Sequence, residues 1–551
     1  MKIIIKNLFI LAIFSNCISA MAEVNLDRLI KNQQDIDKST RLENNLEKKD
    51  VYASDTKNAT TPTALPVEEN CLPIDEIVLN QDFLNNAGLK KLKQNAAGRC
   101  LGVLAIQQLA IDIQDYIIKS GYVTSRIEIP DQDLSTKKLI FNVVPGKIEK
   151  VIIKDNAVRK WVLPFKSEDI LNIRDIEQGL ELVQRIPLDD IKIYIAPGSQ
   201  NEYSNVVIDV INPARWNTRL WINNWGDKST GKTLANGAGY LYNLAGVNDI
   251  FYLSGTTQLE QTKYGGYQNI SAYYSFPFGY WEYEIFYSQS QSKQNIAVSD
   301  LNFKYQGDNR YFDLKGSRTI YRDQSKKVKL ITELFRRKAH YQFGDQELQL
   351  QKRNMTNIRF GLNYKQQFYD SVLDTTISYQ RFVQWLGAKK TPDMIDGGGV
   401  SPESHILNLD LSYIKNLGLQ AFDSYYQLQL GAQYSPKALT IQDQFSIGNR
   451  WSVRGFENSA GRNGYSGFYN QNTWNIITGI KNLEWYIGLD YGQVWDKNSD
   501  EKQSKLMGTA TGFRGSLYAF NYDMSLSAPL LHPDNMAVDR VLFNFNIAYQ
   551  L

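Results

Sequence analysis

Beyond Pro213 the chain alternates apolar and polar side chains with a period of two. In its last stretch Val541, Phe543, Phe545, Ile547, Tyr549 and Leu551 share one face, and Asn544, Asn546, Ala548 and Gln550 share the other. The same dyad runs through Tyr426, Leu428, Leu430, Ala432 and Tyr434 against Gln427, Gln429, Gly431 and Gln433. Successive side chains of a strand point to opposite faces, so each segment has one apolar and one polar side. The segments reach about nine residues or more, the length of a spanning strand. Apolar toward lipid and polar toward a wet lumen is what a membrane barrel requires, because an open sheet edge has no partners in hydrocarbon. Residues 214–551 are therefore predicted to form a transmembrane β-barrel, and at about 20 residues per strand and connection this gives roughly 16 strands. A soluble all-β domain also alternates and is the competing reading.

The pattern is different before Pro213. Glu76–Leu79 reads as a strand, and Leu104, Leu109, Ile113, Tyr116 and Ile117 follow helical spacing up to a stop at Gly121. Val123–Ile129 and Lys138–Val144 read as strands. The order then repeats: strand 148–154, a helix from Asn172 through Ile186, and strands 191–195 and 206–211. Two tandem α+β units, 71–147 and 148–213, are predicted. Upstream, 23–45 has a thin helical stripe (Val24, Leu26, Leu29, Ile30, Ile36) among polar residues, and 23–50 is assigned to this helical element. Residues 51–70, rich in Thr, Ala, Asp and Pro, read as a linker.

The first residues read as an export signal over 1–22. Lys2 and Lys6 precede the short apolar core Leu8–Phe14, and Ala20-Met21-Ala22 places cleavage between Ala22 and Glu23. Export weighs against a cytosolic β domain. It also leaves Cys71 and Cys100 in an oxidising compartment, where a lone pair suggests one disulfide. No uncharged apolar run reaches the roughly 18 residues of a transmembrane helix. With 61 Lys+Arg against 58 Asp+Glu, the net charge of +3 excludes a strongly basic nucleic-acid binder. The chain's three histidines, His340, His405 and His532, lack ligand spacing, and no catalytic or phosphate-binding motif is present. We expect no enzyme, catalytic residue, metal or cofactor. A hydrolase assembled from scattered Asp, Ser and His is the alternative.

Two motifs stand out. Phe445-Ser-Ile-Gly-Asn-Arg-Trp-Ser-Val-Arg-Gly-Phe456 lies between strands and contains Val453, Arg454, Gly455 and Phe456. Trp485-Tyr-Ile-Gly-Leu-Asp-Tyr-Gly492 is a strand in which Gly488, Asp490 and Gly492 share a face. Two placements suit Arg454: a solvated external loop, or a lumenal loop in which it pairs with the carboxylate.

The V-R-G-F loop and G-x-D-x-G strand resemble the two hallmark motifs of the barrel superfamily that includes BamA and the two-partner secretion transporters (TpsB). Cys71-Leu-Pro-Ile74 with Cys100 and Gly121-Tyr-Val-Thr-Ser-Arg126 resembles the first periplasmic POTRA domain of TpsB proteins of the haemolysin and filamentous-haemagglutinin type. Ser275-Phe-Pro-Phe-Gly279 resembles that family's turn after an early barrel strand. One departure is Asn449, where a second Gly is usual. The resemblance implies an outer-membrane pore with two POTRA domains in the periplasm, exporting a large TpsA-type exoprotein (a haemolysin, adhesin or contact-dependent toxin). It implies an Arg454–Asp490 pair, and it supports a plug role inside the barrel for the N-terminal helix, whose many Lys, Asp and Gln also suit a polar lumen; a periplasmic helix docked on a POTRA domain is the alternative. The partners implied are that exoprotein, outer-membrane lipid and the barrel-assembly machinery during biogenesis, with no nucleic acid. The alternative is a BamA-like assembly factor, against which two POTRA-like units and a disulfide argue.

Overall fold

The structure, a computed structural model, describes residues 26–44, 64–80, 83, 87–154, 158–260, 265–298, 301–390, 404–419, 422–496 and 504–550. The signal segment 1–22, its cleavage pair Ala22 and Glu23, and most of the linker lie outside these residues. The expected helix is α1, Leu26–Asn44.

The first α+β unit contains β1 (Leu72–Ile74), β2 (Glu76–Asn80), α2 (Ala87–Ala96), β3 (Arg99–Leu101), α3 (Val103–Lys119), β4 (Arg126–Glu128) and β5 (Lys138–Val144). Its sheet has the order β2-β5-β4, with β2 and β5 parallel. Leu109, Ile113 and Ile117 of α3 pack on Leu139 and Phe141 of β5. The strand expected at 123–129 is shorter, because Gly121 and Tyr122 accept from the amides of Val123 and Ser125 and turn the chain before β4 starts. Helix α2, missing from the sequence reading, packs Leu89 into the same core.

Cys71 and Cys100 form a disulfide, with a sequence separation of 29, between the approach to β1 and its partner β3. Closing a loop of this size stabilises by about 3–4 kcal/mol in the chain-entropy model. Thiol labelling of the unreduced mature protein should find no free cysteine, and labelling after reduction should find both. A labelled thiol before reduction would contradict the bridge.

The second unit runs β6 (Lys147–Ile153), α4 (Ile173–Val183), β7 (Asp190–Pro197) and β8 (Tyr203–Ile211), with sheet order β6-β8-β7. Asn172 caps α4 by accepting from the amide of Arg174. Strand β7 is one edge of this sheet and β6 the other, the start of β6 being bridged by Ile170.

Among the described residues, a closed antiparallel barrel of 16 strands follows, from Trp216–Asn223 to Leu542–Gln550, as the dyad pattern predicts. The last strand closes on the first through five residue pairs, Asn546↔Asn223 to Gln550↔Arg219. Phe543 and Ile547 face outward, and Leu330, Phe360 and Ile377 do the same elsewhere on the wall. Inward positions are largely polar or small, among them Asn236, Ser254, Ser288, Ser290 and Gln380.

Candidate functional site

The long connection between strands Phe422–Tyr434 and Ser466–Ile477 folds back into the bore. A short hairpin, Phe445–Ile447 with Arg462–Gly464, braces it. Val453 and Phe456 are buried with Ile447, Val494 and Leu506. Gly455 sits at φ +96°, a conformation open to glycine, where a Cβ would meet the Ala528 carbonyl.

Arg454 therefore reaches the inner wall. Its Nε and Nη2 donate to Asp490 at 2.7 and 2.6 Å, and its backbone amide donates to the same carboxylate at 3.0 Å. Asn472 N adds a fourth donor at 3.2 Å. Arg454 Nη2 also reaches Asn472 O and Thr473 Oγ1 at 3.0 and 3.1 Å. Asp490 is wholly buried and the Arg454 side chain is 12% exposed, so the external-loop placement does not hold. A carboxylate accepting four donors within a bidentate guanidinium pair is a strong, geometrically specific contact. Gly488 leaves room for the guanidinium and Gly492 for Val453. Gly508, on the neighbouring strand, does the same for the Arg454 carbonyl. The sequence reading missed Gly508 and Thr473, although Gly508-Thr-Ala-Thr-Gly512 puts a row of small residues on the inward face.

Helix α1 lies in the same bore. Asp37 accepts from Tyr267 OH at 2.5 Å and Ser290 Oγ at 2.8 Å, and Gln33 bonds Ser290 and Ser292. Arg41 pairs with Asp313 at 2.8 Å over the Phe286 ring. Ile30 and Ile36 fill small apolar recesses. The helix also touches the Arg454 loop: Trp451 Nε1 donates to Ser39 Oγ at 2.6 Å, and Ser446 and Asn449 donate to Asp35. Asn449, the departure noted above, thus caps its own turn and reaches the helix. Beside α1 remains a polar cavity of ≈ 480 Å³.

Residues 202–515 match the haemolysin secretion/activation protein family ShlB/FhaC/HecB. The chain belongs to this family. Residues 72–146 and 147–197 match POTRA domains, the first of ShlB type. The outer membrane transporter CdiB-2 of Burkholderia pseudomallei (strain 1026b) is 30% identical over 516 residues, 91% of this chain and 86% of that one. The hemolysin transporter protein ShlB of Serratia marcescens is 26% identical, over 82% of this chain and 80% of that protein. The structure of CdiB from Acinetobacter baumannii superposes with a TM-score of 0.83 at 25% identity, covering 96% of this chain and all of that one. The chain is thus a two-partner secretion transporter of the outer membrane, with its POTRA domains in the periplasm.

The Ser275–Gly279 turn explains how the second POTRA domain sits on the transporter's barrel. Phe276 packs against that domain's core, and the Phe278 ring lies 5.8 Å from that of Trp161 in a tilted contact. Arg185 donates to Ser275 Oγ and Glu282 at 2.7 and 3.0 Å. Beside it, α4 offers Glu177 and Glu181 to Arg322 and Lys327 at the next periplasmic turn. Arg322 pairs with both at 3.2 and 2.9 Å, and Lys327 pairs with Glu181 at 3.0 Å. The Lys327 and Arg322 side chains are 1% and 2% exposed. Burial at this junction also pushes the Asp175 carboxyl above its ordinary range, opposed by the Tyr280 hydroxyl that donates to it. Arg322 and Lys327 share Glu177 and Glu181, so losing one cation leaves this buried network a charge short, at a cost of up to about 3–5 kcal/mol. Lys327→Ala should therefore loosen this POTRA domain, visible as faster protease cleavage near 212–216 with the barrel intact. Cleavage at the wild-type rate would show that Lys327 is not needed to hold the domain.

Proposed function

We propose that the transporter captures a TpsA-type exoprotein (a haemolysin, adhesin or contact-dependent toxin) on its POTRA domains and passes it as an extended chain through the barrel lumen. The carrying observation is the polar bore occupied by α1, which is held through side-chain hydrogen bonds and the Arg41–Asp313 ion pair. Such an occupant exchanges its bonds for water or cargo when it leaves, whereas an apolar plug would not. Capture falls to β7, an uncovered edge of eight residues suited to β-augmentation. The edge of β4 has three residues, and Gln114 accepts from its Ile127 amide. The Arg454–Asp490 pair fixes the lumenal loop in place during this passage. Folding of the cargo outside opposes its return. Contact with outer-membrane lipid and insertion by the barrel-assembly machinery complete the reading.

Site-specific photocrosslinkers test the route. At Tyr194 on β7 a crosslinker should trap the partner's N-terminal domain, and at Asn408 in the bore it should trap a later segment during export. Capture at Tyr194 with none at Asn408 would place the path outside the lumen.

A further inference from the structure

The outer wall of the barrel is uneven. Strands Trp281–Val298, Leu301–Arg322 and Lys326–Phe343 have 18, 22 and 18 residues, about twice the 9–11 that cross a bilayer. Toward the POTRA end their outward faces are apolar, where Ile285, Leu314 and Leu334 stand side by side. Toward the extracellular end they become basic. Arg310 stands directly opposite Lys338, and Arg336 lies on the same face two positions away. Arg381 is exposed on Ser371–Val383, opposite Ile358, which itself pairs with Leu334. Lys293 and Lys304 extend the basic surface toward the tips. Asp308 offsets one of these charges, pairing with Arg310 at 3.3 Å, and Glu347 is engaged by His340 and Lys352. By contrast, strands Leu234–Tyr242, Ile250–Gln258 and Gly266–Phe278 contain no Lys or Arg.

Like charges directly opposite on a strand pair repel. The Arg310–Lys338 pair bears that repulsion immediately above a lipid-facing apolar surface. A counter-ion group at that height relieves it; Arg310 stands 12 positions from the POTRA-end terminus of its strand at Arg322, just past the roughly 9–11 residues that cross a bilayer, which puts it level with the outer-leaflet headgroups. We propose that this patch binds a phosphorylated lipid headgroup of the outer leaflet. Arg310, Arg336 and Arg381 supply forked donors for phosphate oxygens and Lys338 a point charge, while the acyl chains lie along Leu314, Leu334 and Ile358.

The test is native mass spectrometry of the full-length transporter in detergent with added lipid A carrying both phosphates. Wild type should retain lipid A. The R310Q/R336Q/K338Q/R381Q variant should retain at least about tenfold less, as removal of several basic contacts at a membrane surface requires. Lipid A stripped of phosphate should bind wild type as weakly as the variant binds the intact lipid. Millimolar inorganic phosphate should leave wild-type retention unchanged, because the lipid and not a free anion is the ligand; displacement by it would refute a lipid site. Heat-modifiable gel migration checks that the variant barrel is folded. If it is not, exposed Lys338→Gln alone should still lower retention about threefold. Equal retention by wild type and the folded variants, or equal binding of dephosphorylated lipid A, would overturn the proposal.

Discussion

Arg454→Ala should remove most export while the barrel still assembles, and Asp490→Ala should do the same. Each change strands the other charge in a nearly dry recess. Asp490 is fully buried, and after loss of the guanidinium it keeps two backbone donors, Arg454 N and Asn472 N. Arg454 without Asp490 keeps Asn472 O and Thr473 Oγ1. An orphaned buried charge costs about 3–5 kcal/mol, enough to release the loop but a small part of the stability of a closed barrel. Arg454→Lys should rescue only in part, since an ammonium cannot reproduce the forked contact. The double alanine variant should be little worse than either single, as coupled partners require. Secretion assays with heat-modifiability as the folding control decide this. Additive defects, or normal secretion by Arg454→Ala, would mean that the pair does not hold the functional loop.

Deleting 26–44 should raise single-channel conductance in planar bilayers several-fold, because α1 takes up bore cross-section that then fills with water. Export should be largely spared, since the cargo path needs that helix absent. Arg41→Ala is the milder form. It removes the ion pair with Asp313 and the stacking over Phe286, and should produce brief openings with an otherwise wild-type baseline. Unchanged conductance of the deletion variant would show that α1 does not limit the pore.

The barrel was legible because its pattern is enforced along every strand: lipid on one side and a wet bore on the other leave no freedom in parity. The Arg454–Asp490 contact was half legible. Parity put Asp490 on the inner face and Gly455 marked a turn, but whether the loop entered the bore depended on contacts with Gly488, Gly492 and Gly508 on two neighbouring strands. The POTRA–barrel junction was illegible. Arg322-Asp-Gln-Ser-Lys-Lys327 reads as an ordinary hydrophilic turn, and Glu177 and Glu181 read as the solvated face of a helix. Only the fold shows that each is the reason the other is buried. Helix α2 escaped notice because its apolar positions, Leu89 and Leu92, are too few for a periodic signal.

That junction has a consequence for the order of assembly. Glu177 and Glu181 belong to a domain that can fold in the periplasm, whereas Arg322 and Lys327 arrive on a hairpin 145 and 146 residues later. Until that hairpin is inserted, α4 shows the periplasm an acidic face with Arg174 as its nearby cation, paired to Glu177 at 2.5 Å. The unfinished chain therefore carries these carboxylates before Arg322 and Lys327 have reached them. Once the early hairpins are in place, the same carboxylates become the socket for the barrel.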